Sequence, residues 1–323
     1  MNPTAARITL HADDLGLNPA VREGVLQGFR HGLLTSSSLL SNAPDAARAL
    51  DGWKQLEAER RSGGLPSLLK RERLGDPNEP FDLGVHLNLT QGRPLTGDRY
   101  PSELLDRRGR FPGVFALFAR LLRGGGRFRT AVQAELEEQV RFVCDHGIRP
   151  LPLNGHQYVE MMPEVRSLLP GLAEKFHIPT VRVAFEPTLF RSTFVGRFQP
   201  WQWPLGRLKR CFAKRLRRQM DRVRIAHPAA FYGTVHAGRV DLPTMRCFLS
   251  HAGRFSLTEI ALHPAVERPL LSSEEVADGW EDPLGSLRPR ELQLLVADEL
   301  VTLIESNHLR LGRLASDSSD AAG

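Results

Sequence analysis

A chain of 323 residues with 41% hydrophobic and 25% charged side chains can bury a sizeable core, so it needs neither disulfides nor a structural metal to hold its fold. Its three cysteines, Cys144, Cys211 and Cys247, are far apart and form no C-x-x-C pair, which argues against a disulfide framework and a cysteine zinc site. The net charge is +6. Much of the excess falls between Arg207 and Arg224, which reads as a solvated basic helix face. Phe198, Trp201 and Trp203 precede that run without interleaving with it, so nucleic acid is disfavoured as a partner. The N-terminus has no apolar signal core, and no stretch approaches the roughly 20 apolar residues of a membrane span. An intracellular, cytoplasmic protein that avoids membranes is the expectation.

In chain order, Ile8 to His11 reads as a short apolar strand. Asn18-Pro19 then starts a helix, since Asn can cap and Pro suits the first turn. Val21, Val25 and Phe29 recur at fourfold spacing, and Gly32 ends that helix. Leu33 to Leu40 is strand-like, and Asp45 opens another helix. From about Glu57 to Pro80 the chain is charged and holds Gly63, Gly64, Pro66, Pro77 and Pro80, the composition of a mobile surface insertion. Strand patterns return at Asp82–Leu89, Leu151–Leu153, Val181–Phe185, Ala230–Val235 and Leu257–Leu262. Helical patterns cover Ala131–His146, Pro163–Phe176, Leu242–His251 and, as one long element, Arg288–Asn307. Leu309 to Leu314 is expected to close the barrel.

Strands alternating with helices predict a parallel sheet. At this length a single-domain (β/α) barrel over residues 1–315 fits better than two dinucleotide-binding halves. No G-x-G-x-x-G follows the first strand. Insertions are expected near 57–80 and 190–226, with a disordered tail over 316–323.

Barrel enzymes carry their chemistry at the C-terminal ends of strands. Here the first strand ends His11-Ala12-Asp13-Asp14-Leu15-Gly16, and two adjacent carboxylates beyond a buried strand call for a positive partner. His86 stands in the alternation Leu83-Gly84-Val85-His86-Leu87. His156 follows Leu153-Asn154-Gly155, and His263 ends the last long strand. Each histidine alone is more often a hydrogen-bonded core residue. Three at successive strand ends, with Asp13 and Asp14, point to a hydrolytic metal centre. There the metal acidifies a water, a carboxylate takes its proton and a separate His protonates the leaving amine. No G-x-S-x-G elbow offers a serine nucleophile instead.

The ordered runs His11–Leu17, Gly32–Ser38, Gly84–Thr90, Asn154–Val159, Val181–Val183 and Glu259–Pro264 resemble the YdjC-type carbohydrate deacetylase family. That resemblance implies a distorted (β/α) barrel of the glycoside hydrolase/deacetylase type, acting on acetylated sugars such as chito-oligosaccharides. It implies Asp13 as general base, Asp14, His86 and His156 as metal ligands, and His263 as general acid. Arg182 becomes a residue that positions the base or binds substrate, with a structural ion pair as the even alternative. The family resemblance favours magnesium, whereas two imidazoles suit zinc, manganese or iron better. Bacterial members carry a histidine-rich fourth motif, of which only His156 remains here. That thinning motivates the alternative of a catalytically weak carbohydrate- or protein-binding protein.

Overall fold

The computed structural model describes residues 6–77, 79–187, 202–267 and 272–315. Eight parallel strands form one sheet: β1 (Arg7–Leu15), β2 (Ser36–Leu39), β3 (Asp82–Leu87), β4 (Pro152–Gly155), β5 (Thr180–Val181), β6 (Ala230–Tyr232), β7 (Leu257–Leu262) and β8 (Arg310–Leu311). Their spatial order is β5-β4-β3-β2-β1-β7-β6. The two edges approach each other: Val181 donates to the Ala226 carbonyl at 3.0 Å, and Phe231 to the Phe185 carbonyl at 3.1 Å. The sheet therefore curls into an incompletely closed barrel with helices outside it.

Those helices are α1 (Pro19–Arg30), α2 (Ala46–Arg61), α3 (Leu68–Glu72), α4 (Val114–Gly124), α5 (Arg129–Asp145), α6 (Pro163–Lys175), α7 (Gln202–Val223), α8 (Leu242–Ala252), α9 (Ser273–Ala277), α10 (Arg288–Val296) and α11 (Asp298–Ser306). Asn18 caps α1 as its sequence predicts, its side-chain oxygen accepting from Val21 N–H at 2.9 Å, with Pro19 in the first turn. The aliphatic residues of β1, Ile8, Leu10 and Ala12, belong to the apolar core that the sheet shares with its helices. The alternate residues Thr9, His11 and Asp13 are buried as well. Their register partners include Glu259, aligned with Thr9, and Ser36, aligned with His11. The barrel interior is thus a polar layer, unlike the usual packing of branched aliphatic residues.

Three expectations need correction. Leu309–Leu314 does not close the barrel: β8 is only Arg310–Leu311, aligned with Arg7 and Ile8 of β1. Since β7 covers one side of β1 and β2 pairs with it only from His11 onward, β8 fills the space before β2 begins. The long helix from Arg288 is two helices, because Ala297 is extended at φ −71°, ψ 138°. The strand from Val181 stops at once, and Arg182 already lies beyond it.

The region 57–80 is also more ordered than its composition suggests. α2 continues to Arg61, and α3 delivers Arg71 into the protein. The buried Arg71 guanidinium donates to the carbonyls of Phe29 (3.1 Å), Gly32 (3.0 Å) and Leu34 (2.8 Å) and to Ser67 Oγ (3.0 Å). It satisfies carbonyls where α1 hands the chain to β2. Burial draws its pKa down to about 9. The basic α7 buries Ala213, Leu216 and Met220 and turns much of its charge outward. Residues 190–201 of the second expected insertion and the tail from 316 lie outside the described residues. Among the described residues no helix is long and apolar enough to cross a membrane.

Replacing Arg71 by Met removes the guanidinium donor from the buried Gly32 and Leu34 carbonyls, while the Phe29 carbonyl keeps the Ser67 hydroxyl at 2.9 Å. Stability should fall by on the order of 3 kcal/mol, read by urea unfolding. A loss below about 1 kcal/mol would mean that water serves those carbonyls as well.

Candidate active site

In a regular strand Asp13 and Asp14 would face opposite sides of the sheet. Two local features bring both carboxylates to one place. The register between β1 and β2 shifts between Ala12 and Leu15, and Asp14 adopts a left-handed backbone at φ 64°. Such a conformation is uncommon for a non-glycine residue and marks a bulge that re-aims a side chain.

Asp14 sits among three partners. Its Oδ1 lies 3.0 Å from His156 Nδ1 and 3.3 Å from His86 Nε2, and its Oδ2 accepts from Arg288 Nη2 at 2.7 Å. One donor atom from each of Asp14, His86 and His156 lies within 4.8 Å of the others, a separation that a single cation can bridge. The ring orientation of His86 is fixed from behind. Asn154 Nδ2 donates to Asp13 Oδ1 at 2.9 Å, so its Oδ1 faces His86 Nδ1 at 2.8 Å and accepts that N–H. His86 Nε2 is then the ring nitrogen that faces Asp14, and an amide behind the other nitrogen is the support that metal-ligating imidazoles show. His156 Nε2 is buried with no hydrogen-bond partner. His156 is carried by the turn after β4, where Gly155 is required: a Cβ there would come within 2.3 Å of Glu160 Oε2 and 2.8 Å of the Glu160 nitrogen.

Asp13 is tied to the polar groups of the barrel interior. Arg182 Nη1 donates to its Oδ2 at 2.8 Å, while Arg182 Nε and Nη2 donate to Glu259 Oε1 at 2.8 and 2.6 Å. His11 Nε2 stands 3.3 Å from Asp13 Oδ1. Burial opposes ionisation of Asp13, but Arg182, His86 and the His11 hydrogen bond outweigh it, leaving the carboxyl well below the usual range. Asp14 follows the same pattern: burial is outweighed by Arg288 and His156. Burial opposes the charge on His86 too, yet Asp13 and Asp14 more than compensate and raise its pKa. The paired carboxylates thus draw positive charge towards themselves.

His263 follows β7, with Nε2 3.8 Å from Asp13 Oδ2. Its backbone N–H donates to Glu291 Oε2 at 2.5 Å. Burial pushes the imidazole pKa down to about 4 and that of Glu291 up to about 7. His263 is therefore neutral near pH 7.

The structure brings together all six residues singled out from sequence: Asp13, Asp14, His86, His156, Arg182 and His263 line one pocket of about 530 Å³ at the C-terminal mouth of the sheet. Sequence reading missed Arg288, hidden at the start of an ordinary amphipathic helix, and Asn154, an amide that carries no charge signal. Glu259 had a legible signal, as a charged residue inside an apolar strand.

A curled parallel α/β sheet with an Asp–His–His cluster at its mouth has the layout of a barrel hydrolase. The family profile described as YdjC-like protein matches residues 7–306, and the chain belongs to that family. A carbohydrate deacetylase of Danio rerio is 31% identical over 190 residues, spanning 58% of this chain but only 53% of that relative. A carbohydrate deacetylase of Vibrio cholerae is 24% identical over 305 residues and covers 94% of both chains. Among solved structures, a protein of Enterococcus faecalis V583 described as a candidate cellobiose-phosphate cleavage protein shares the fold. It has a TM-score of 0.67 at 18% identity and covers 96% of this chain and 98% of its own.

Removing Arg182 leaves Asp13 and Glu259 buried without their cation. Arg182→Met should cost about 3–5 kcal/mol, and adding Glu259→Gln should recover part of that loss. Additive losses in the double variant, read by denaturant unfolding, would show that the two carboxylates do not depend on one guanidinium.

Proposed function

We propose that this chain is a metal-dependent hydrolase that removes acetyl groups from N-acetylated carbohydrates of the chito-oligosaccharide kind. The observation that carries the reading is the convergence of Asp14, His86 and His156 beside an ionised Asp13 in one pocket. The names of the relatives supply the substrate class, since carbohydrate and chitooligosaccharide deacetylases are among them.

The residues fit a divalent cation. A carboxylate oxygen and two imidazole nitrogens converge, His86 is oriented by Asn154, and His156 Nε2 is a buried nitrogen without a partner. One carboxylate with two imidazoles favours zinc or manganese over magnesium, which prefers oxygen ligands. Asp14, His86 and His156 would hold the metal, which when bound would supply polarisation of the amide carbonyl and acidify a water.

The remaining steps belong to the protein's own groups. Asp13, held ionised by Arg182, takes the proton of the attacking water at a carboxylate oxygen. His263 begins neutral, so the proton that it gives to the leaving amine must first reach it within the site. Asp13 Oδ2, 3.8 Å from His263 Nε2, is its nearest acidic neighbour on this path. Arg182 positions Asp13, and Arg288 orients Asp14 while balancing its charge.

The test is acetate release from N-acetylated chito-oligosaccharides, using metal-stripped protein restored with magnesium, manganese or zinc. Release should require added metal and fall at least about 100-fold in Asp13→Asn and in His263→Ala. Full activity in Asp13→Asn would remove its role as base. No release from any sugar by the restored wild type would favour the binding-protein alternative, which the single histidine of the fourth motif motivates.

A further inference from the structure

The candidate active-site pocket has two unlike walls. One carries the acids and imidazoles described above. The other is built by α4 and α7, and the lining residues that these helices contribute are Val114, Phe115, Phe118, Leu208, Phe212 and a single cation, Lys209. Phe118 and Phe212 meet edge to face with ring centroids 6.1 Å apart, which ties the two helices together. Lys209 lies over the ring of Tyr158, its Nζ 4.2 Å from the centroid. Phe115 remains 79% exposed and Leu208 55% exposed, so apolar surface faces open space beside the polar cluster.

A simple sugar is a poor match for that wall. Hydroxyl groups laid against it would lose water and find one donor, Lys209, in exchange. A hydrocarbon group laid there would displace water from both surfaces with no polar group left unserved. The pocket, about 530 Å³, is also far larger than an acetamido group requires, and the apolar stretch along α4 and α7 suits a ligand with an extended apolar part.

We propose that the substrate is amphiphilic: an N-acylated sugar bearing an apolar group that lies along the α4–α7 wall while its amide reaches the Asp–His–His cluster. The apolar group belongs either to a longer acyl chain or to an alkyl or aryl aglycone. This inference rests on the carbohydrate-amide reading above and narrows it.

Calorimetric titration of the metal-loaded Asp13→Asn protein, in which turnover is suppressed, separates the possibilities. The ligands are methyl and octyl 2-acetamido-2-deoxy-β-glucoside, N-octanoylglucosamine and, as a control, N-octanoylglycine, all below their micelle concentrations. Each buried methylene multiplies affinity roughly fourfold. One octyl-bearing sugar should therefore bind at least about tenfold more tightly than the methyl glycoside. Preference for the octyl glycoside places the apolar group on the aglycone, and preference for the octanoyl amide places it on the acyl side. That advantage should shrink in Phe115→Ser and in Leu208→Ser, whose exposed side chains can change without disturbing the core.

Equal binding of methyl and octyl sugars overturns the inference and leaves the carbohydrate reading intact. N-octanoylglycine binding as tightly as either octyl-bearing sugar overturns the carbohydrate reading itself. A concentration-dependent dimer that Phe115→Ser abolishes, with no octyl preference, would assign the wall to a second copy of the chain and overturn the inference.

Discussion

A single buried guanidinium sets the terms for the interior of this protein. Arg182 leaves the end of β5 and reaches across the curled sheet to Asp13 on β1 and Glu259 on β7. Its attraction to Asp13 outweighs the desolvation that would otherwise protonate that carboxyl. The same contacts join strands from opposite sides of a sheet whose edges barely meet. Architecture and chemistry therefore share one interaction: what draws β5 towards β1 and β7 also keeps Asp13 charged.

The second constraint is the backbone at Asp14. A straight strand would separate the neighbouring carboxylates, but the bulge and left-handed turn point both into the pocket. They then differ by surroundings and not by type. Asp13 is gripped by Arg182, His11 and Asn154 inside the barrel, whereas Asp14 stands at the mouth with His86, His156 and Arg288. Identical acids in unlike settings can take unlike tasks, one holding charge and one holding a cation. Asn154 links the two settings, since it donates to Asp13 and accepts from His86.

Much of this was legible in the sequence because it follows from periodicity and strand-end polarity. The α1 start at Asn18-Pro19 and the complete β7 span, Leu257–Leu262, match their patterns. So do the site residues, each lying just beyond or within a strand. What escaped depends on tertiary partners. The break at Ala297 has no glycine or proline to announce it. The segment around Arg71 has the composition of a loose insertion, yet one guanidinium anchors it on three carbonyls that no local pattern reveals. Arg288 looked like any helix residue until the fold placed it against Asp14. Charge and periodicity report on a residue and its neighbours in sequence; they do not report which distant group will neutralise it.

The central claim is that Asp14, His86 and His156 form one divalent-cation site beside a carboxylate that does not ligate. Metal content by plasma mass spectrometry after equilibrium dialysis, on wild type, His86→Ala and Asp13→Asn, tests it most directly. The account predicts about one equivalent in wild type and in Asp13→Asn, and at least a tenfold loss of affinity in His86→Ala. Equal metal content in all three proteins, or loss in Asp13→Asn alone, would contradict it.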